Sequence, residues 1–282
     1  MTDSGSGSRR AQLAVALAAL RARLEQAAVA AGRAADEIEL LPITKFFPAS
    51  DVLILHGLGI SAFGESREQE ASAKIAEVNR NLSVEQNASP IRWHMVGRIQ
   101  RNKARAVARW AYAAHSVDNA KLVAALSRGA VQALDEGVRT APVRVYVQVS
   151  LDGDERRGGV DVGRPQLVDE LCAAVHDAAG LELVGLMGIP PLNWDAEEAF
   201  ARLAAEHARV QEGYSHRLGL SAGMSGDLEA AVKHGSTCVR VGTALLGPRP
   251  LTSPAVVTPV TPSSQTPPIT RASEGSRDEH TA

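Results

Sequence analysis

Lys45, which closes the apolar run Ile38-Glu39-Leu40-Leu41-Pro42-Ile43-Thr44, is the residue of this chain best placed to do chemistry. Far downstream lie Gly223-Met224-Ser225 and Val239-Arg240-Val241-Gly242-Thr243, two segments that each pair glycine with a hydroxyl. A charged amine inside a protein is costly unless it is paired or deprotonated, and a desolvated lysine with a lowered pKa is a good nucleophile toward an aldehyde. Phosphate oxygens need backbone N–H groups at close range, and small residues let them approach. Ser225 stands just ahead of the helix-like run Leu228 to His234, where it can cap the helix and donate to a phosphate together. The two features combined describe an aldehyde that also carries a phosphate, which is pyridoxal phosphate. The bland alternatives are a surface lysine after a strand, a serine that only caps a helix and a glycine that only turns the chain.

Arg240 lies on the last β-like run, between Ser225 and the Gly242-Thr243 pair. It can lie under a cofactor ring and donate to a pyridine nitrogen, which would keep that nitrogen unprotonated and weaken the ring as an electron sink. It can equally form an ordinary salt bridge with Asp227 or Glu229. His94, between Trp93 and Met95, reads as a core or rim histidine or as a site residue. Arg98, Arg101, Lys103 and Arg105 make a local basic cluster, either a solvated helix face or an attraction for a phosphorylated ligand, and Asn102 beside them can cap backbone or line a site.

The elements that must position these residues are short β-like runs alternating with alanine-rich, helix-periodic stretches, the pattern of a parallel sheet with crossover helices. Eight such runs occur: Ile38 to Lys45, Ile60 to Ser66, Arg92 to Gly97, Tyr112 to Asp118, Val143 to Ser150, Leu181 to Ile189, Gly219 to Ser225 and Cys238 to Gly242. Eight strands in about 240 residues predict a single closed (β/α)8 TIM barrel more than an open doubly wound sheet. No convincing G-x-G-x-x-G follows the first strand, which lowers a dinucleotide reading. In a barrel, active residues gather at the C-terminal strand ends, and the loops after strands seven and eight are the usual phosphate site. Lys45, Glu65-Ser66, His94, Asp118, Gln148 with Ser150, Met187-Gly188, Ser225 and Arg240 to Thr243 all fall at or near such ends.

The chain has 282 residues, a formal net charge of -2 and a hydrophobic fraction of 45%, enough apolar material for a full core and no electrostatic footprint for nucleic acid. Two cysteines, Cys172 and Cys238, lie far apart without metal-ligand spacing, so neither a disulfide framework nor a metal site is expected and a reducing cytoplasm fits best. Arg9-Arg10 ahead of Ala11 to Leu20 imitates an export signal, but Leu13, Leu17, Leu20 and Leu24 continue at helical spacing through Arg21, Arg23 and Glu25, as on an amphipathic helix. No apolar run reaches the approximately 20 residues of a membrane span. Residues 1–8 and 249–282 are Ser/Gly/Thr- and Pro/Thr/Ser-rich and are expected as disordered tails around a domain over 9–248; the longer tail is a solvated extension or a docking segment.

Six ordered blocks give the chain a family resemblance. They are Leu41 to Lys45, Phe63-Gly64-Glu65-Ser66-Arg67-Glu68-Gln69-Glu70, Trp93 to Lys103, Gly185-Leu186-Met187-Gly188-Ile189-Pro190, Gly223 to Ala231 and Gly235 to Gly247. Over roughly residues 10 to 248 the chain resembles the pyridoxal phosphate homeostasis proteins, single-domain relatives of the alanine racemase barrel. The resemblance implies a fold-type III barrel in which Lys45 holds pyridoxal 5'-phosphate as a Schiff base. It implies that Ser225, Gly242 and Thr243 bind the phosphate, and that Arg240 faces the pyridine nitrogen; Ser66, His94 and Met224 complete the expected contact set. It implies an intracellular carrier or regulator of the cofactor, with apoenzymes that use the cofactor as partners and no assigned catalytic residue. Two departures stand out: Ser66 where the family usually has asparagine, and Arg98 and Arg101 in a block where it usually shows Gly-Pro-Leu-Gln-Ser-Asn-Lys.

Two further readings stay open. A racemase would need a second acid/base group on the opposite face of the substrate carbon, and Tyr112, Tyr146 and Tyr214 lie within the barrel body with Tyr112 and Tyr146 early in their strands. A scaffold that has lost the cofactor is opposed by the intact Lys45, Ser225, Arg240 and Thr243. A monomer is expected, with no nucleic acid and no membrane among its partners.

Overall fold

The computed structural model describes residues 3–82 and 90–249, with the side chains of residues 3–6 and 155 set aside. Eight parallel strands form the barrel wall: β1 (Glu39–Pro42), β2 (Ala62–Glu65), β3 (Arg92–Met95), β4 (Ala113–Val117), β5 (Val143–Ser150), β7 (Leu181–Met187), β8 (Gly219–Ser221) and β9 (Cys238–Val241). They are hydrogen-bonded in the order β1-β9-β8-β7-β5-β4-β3-β2, and a parallel bridge between Ile43 and Gly64 closes the ring. Each of the eight predicted runs contains one of these strands. A two-residue strand, β6 (Val160–Asp161), pairs with the end of β5 and was not foreseen, because two residues are too short to show a period.

Around the wall run α1 (Asp3–Ala30), α2 (Ala49–His56), α3 (Glu68–Asn81), α4 (Ala104–Trp110), α5 (Ala120–Asp135), α6 (Pro165–His176), α7 (Ala196–Gln211), α8 (Leu228–Lys233) and α9 (Thr243–Leu246). The stripe of Leu13, Leu17, Leu20 and Leu24 on α1 is fully buried and packs in one cluster with Val52 and Leu55 of α2, Val232 of α8, Val239 of β9, and Leu245 and Leu246 of α9. At about 2 kcal/mol for each buried leucine, this stripe fixes α1 to the side of the barrel where the last two strands end. Helix α1 begins at Asp3, inside the segment 1–8 expected as a tail. Once the leucine stripe has fixed a helix, adding residues upstream forms one bond per residue and needs no new nucleus. The tail expected at 249–282 lies outside the described residues apart from Arg249.

Candidate functional site

The lysine corner forms where β1 hands over to a tight turn. Past the Ile43 bridge the chain buries Thr44, and the N–H of Phe47 donates to the Thr44 carbonyl at 3.0 Å. Phe46 inside this turn has φ 71°, a left-handed conformation that an aromatic residue adopts only against strain. Lys45 is half-buried, and its amine makes no hydrogen bond or ion pair among the described residues; its Nζ lies 5.8 Å from the centroid of the Phe46 ring. Arg67 and Arg249 stack on the same ring, at 5.8 and 4.1 Å. Burial lowers the pKa of Lys45, the charge of Arg249 and then that of Arg67 push the same way, and Glu65 opposes them.

Beneath the turn Glu65, at the end of β2 and 1% exposed, accepts from Thr44 Oγ1 at 2.7 Å and from Lys74 Nζ at 2.6 Å, while Lys74 also donates to the Thr44 carbonyl at 2.7 Å. The Lys74–Glu65 pair takes up the carboxylate charge that would otherwise be the natural partner of Lys45. Its importance was missed in the sequence, because Lys74 sits in α3 among acidic and amide residues that give no sign of burial.

The corner after β8 and β9, where the sequence leads one to expect a phosphate, is built from backbone. Gly223 has φ 89°, and a Cβ there would meet the Ala231 Cβ at 2.4 Å, so the turn after β8 requires glycine. The N–H groups of Ser225, Gly226 and Gly242 make no backbone hydrogen bond among the described residues, and Thr243 opens α9, where helix N–H groups have no internal partner. Ser225 Oγ accepts from the Ala244 N–H at 3.4 Å, which joins the two loops. Ser225 does not cap α8, as the sequence had suggested. Asp227 occupies that position without a side-chain cap bond, and its carboxylate accepts from the Met224 N–H at 2.5 Å. From outside, Arg23 of α1 donates to the Ser225 carbonyl at 2.7 Å and pairs with Glu229, and Arg9 donates to the Leu246 carbonyl at 3.1 Å.

Between the corners, Arg240 is only 7% exposed and meets no carboxylate among the described residues. It donates to the Ser221 carbonyl at 3.0 Å, to Ser221 Oγ at 2.8 Å and to the Gly188 carbonyl at 3.0 Å. The alternative of a salt bridge to Asp227 or Glu229 is thereby replaced: Glu229 belongs to Arg23 and Asp227 to the turn. Three of the five guanidinium N–H groups are used, and the other two have no partner among the described residues.

The remaining expected residues are dispersed. Met224 is exposed beside Ser225, Thr243 is exposed and Gly242 half-buried. Ser66 follows β2, with its backbone against Gly97, where a Cβ would meet the Ser66 oxygen at 2.1 Å. His94 points into the barrel and reaches Arg240 only through His115 and Ser221. His115 was missed although its signal was present: a histidine in the middle of the apolar run of β4. The Tyr112 hydroxyl accepts from Arg144 at 2.6 Å, and burial pushes the Tyr146 hydroxyl pKa upward. Arg98 and Arg101 are exposed. No group of three metal-ligating side chains occurs among the described residues, and no helix among them is long and apolar enough to cross a membrane.

The profile of the family "Alanine racemase, N-terminal domain" matches residues 15–250. A pyridoxal phosphate homeostasis protein of Mycobacterium bovis is 64% identical over 248 residues, covering 87% of this chain and 96% of that protein. One from Escherichia coli K12 is 33% identical over 236 residues, covering 83% and 95%. Among solved structures, PipY of Synechococcus elongatus with pyridoxal phosphate bound superposes with a TM-score of 0.68 at 31% identity, covering 84% of this chain and all (100%) of that one. An alanine racemase from Corynebacterium glutamicum shares the fold at a TM-score of 0.56 and 16% identity, over 82% of this chain and 60% of that one.

Proposed function

Since the chain belongs to the pyridoxal phosphate homeostasis protein family, we propose that it binds pyridoxal 5'-phosphate and serves the handling of that cofactor, with Lys45 as the covalent attachment point. The residues fit the group by their own chemistry. Lys45 offers an amine with no hydrogen-bond or ion-pair partner among the described residues and a lowered pKa, which suits attack on a carbonyl carbon. Ser225, Gly226, Gly242 and Thr243 offer hydroxyls and uncommitted N–H groups suited to a dianion. Arg240 offers two unspent N–H donors and no proton acceptor, which suits an unprotonated ring nitrogen. The cofactor, when bound, supplies an aldehyde that links reversibly to amines. The protein supplies the amine, the anion cradle and the ring donor. The one observation that carries this reading is the unpartnered, half-buried Lys45 amine beside a Lys74–Glu65 pair that already neutralises the nearest carboxylate.

Ser66, His94 and Met224 enter the proposal more weakly. His94 has no direct contact with Arg240, and Met224 offers only its backbone and an exposed side chain. A role as carrier rather than enzyme, delivery to apoenzymes, a monomeric state and a cytoplasmic location belong to the same proposal. The test is borohydride reduction of the loaded protein followed by peptide mass spectrometry. A pyridoxyl adduct on Lys45 that disappears in Lys45→Ala is the expected result. A protein that takes up no cofactor, or an adduct that persists elsewhere in Lys45→Ala, refutes it.

A further inference from the structure

Inside the barrel a file of buried polar side chains runs from Arg240 to His94, and its inner members, Ser221 and His115, have no role in the proposed site. Arg240 Nη1 donates to Ser221 Oγ at 2.8 Å, Ser221 Oγ lies 2.8 Å from His115 Nδ1, and His115 Nε2 lies 2.9 Å from His94 Nδ1. All four side chains are buried, and they come from β9, β8, β4 and β3. Aromatic rings flank the file: Tyr146 packs on His115 at 4.4 Å and Tyr112 on His94 at 5.4 Å between centroids. Burial, followed by the charges of Arg92 and Arg144, lowers the pKa of His94 to about 3. Burial, followed by His94 and Arg240, holds His115 well below its ordinary value. Both rings are therefore neutral, each with one donor and one acceptor nitrogen.

Two neutral imidazoles in series permit two polarities, and the ends of the file select between them. At one end Ser221 Oγ already receives an N–H from Arg240, so its own hydrogen is free to go to His115 Nδ1. His115 must then carry its proton on Nε2 and donate it to His94 Nδ1, which leaves the His94 proton on Nε2. At that end the Glu39 carboxylate, which also accepts from Arg92 at 2.7 Å, lies 3.9 Å from His94 Nε2; this is too long for a hydrogen bond, but a neutral Nε2–H faces an oxygen better than a bare nitrogen does. The reverse polarity would turn a bare His94 nitrogen toward that carboxylate and send the Ser221 hydrogen to the Cys238 sulfur, a weak acceptor.

We propose that Ser221, His115 and His94 are positioning residues for Arg240, forming a one-way donor column from Arg240 toward Glu39 that leaves the Ser221 oxygen only as an acceptor and so holds the guanidinium in one orientation. This rests on the reading that Arg240 faces the ring nitrogen of the cofactor. A long, flexible side chain held only by neutral acceptors has several ways to turn. A column of fixed polarity leaves it one.

The first test needs no variant. In the cofactor-free protein with 15N-labelled histidine, long-range 1H–15N NMR should find both His94 and His115 as the Nε2–H tautomer, without titration between about pH 8 and pH 5. An Nδ1–H tautomer at either ring, or titration near the ordinary histidine value, overturns the column. The second test loads Ser221→Ala and Ser221→Thr with pyridoxal 5'-phosphate. Ser221→Ala should keep the Lys45 adduct but displace the visible band of the bound cofactor, and Ser221→Thr should restore it. A lowered melting temperature with an unmoved band would make Ser221 merely structural and overturn the proposal. Arg240→Lys separates the two possible failures. An unmoved band in that variant refutes the ring-facing reading itself, whereas a moved band there with an unmoved band in Ser221→Ala refutes only the column.

Discussion

The lysine corner and the phosphate corner stand at strand ends of one barrel and are built on different principles. After β8 and β9 the chain uses backbone: glycines, two hydroxyls and N–H groups that make no backbone hydrogen bond among the described residues, braced from outside by Arg23 and Arg9 of α1. After β1 and β2 it uses buried charge: Glu65 and Lys74 compensate each other below a strained turn, and Lys45 remains over as the uncommitted amine. A backbone cradle can sit near solvent, because its donors cost little when they meet water. A buried carboxylate cannot, because desolvation must be repaid by a cation held in place. The lysine corner should therefore fail abruptly when one group is removed, and the phosphate corner by degrees.

Removing the compensating cation gives the largest expected effect. Lys74→Met strands the Glu65 carboxylate, and urea unfolding of the cofactor-free protein should show a loss of about 3–5 kcal/mol. A loss below about 1 kcal/mol would place Glu65 in contact with water and erase the contrast between the corners. Next comes Gly223→Ala, which forces a Cβ at positive φ against Ala231; roughly 2–3 kcal/mol should be lost, with cofactor affinity lowered as the loop shifts.

Arg23→Ala should act on affinity more than on stability. Its partner Glu229 is exposed, so unfolding should change by at most about 1 kcal/mol, while pyridoxal 5'-phosphate should bind roughly three- to tenfold more weakly through the loosened Ser225 carbonyl. Pyridoxal without its phosphate should be unaffected, and an equal loss for both ligands would remove Arg23 from the phosphate cradle.

The smallest effect is one of pH. Because the folded pKa of Lys45 is lowered, the unfolded chain binds more protons in the window between that value and the ordinary lysine value of 10.5, so Lys45 makes stability rise with pH there. The rate of adduct formation should level off at a lower pH than for a free lysine. Arg249→Gln, which removes the larger of the two lowering charges, should move that inflection upward, as stopped-flow absorbance against pH would register; a downward shift would contradict the assigned cause.

Local sequence pointed to the glycine-and-hydroxyl loops and to the lysine, because glycine, hydroxyl and strand end are properties of a few consecutive residues. It also carried the leucine stripe of α1, whose burial matches its spacing. The same local view misjudged Ser225 as a helix cap, since cap geometry depends on where the turn places Asp227. It did not reach Lys74 in its polar helix, nor the pairing of His115 with Ser221, which are 106 positions apart in the chain.

By itself the sequence determined eight strands, their parallel alternation with helices, and the positions of a lysine and two glycine-and-hydroxyl loops at strand ends, for hydrophobic period and turn chemistry act over short stretches of chain. Tertiary structure alone decided that Glu65 is claimed by Lys74, leaving Lys45 uncommitted, and that Arg240 meets Ser221 and Gly188 in place of a carboxylate. The physical reason is barrel closure. The Ile43–Gly64 bridge brings the first two strands together and β9 beside β1, so that residues distant in sequence share a desolvated interior where the choice of partner sets charge, polarity and orientation.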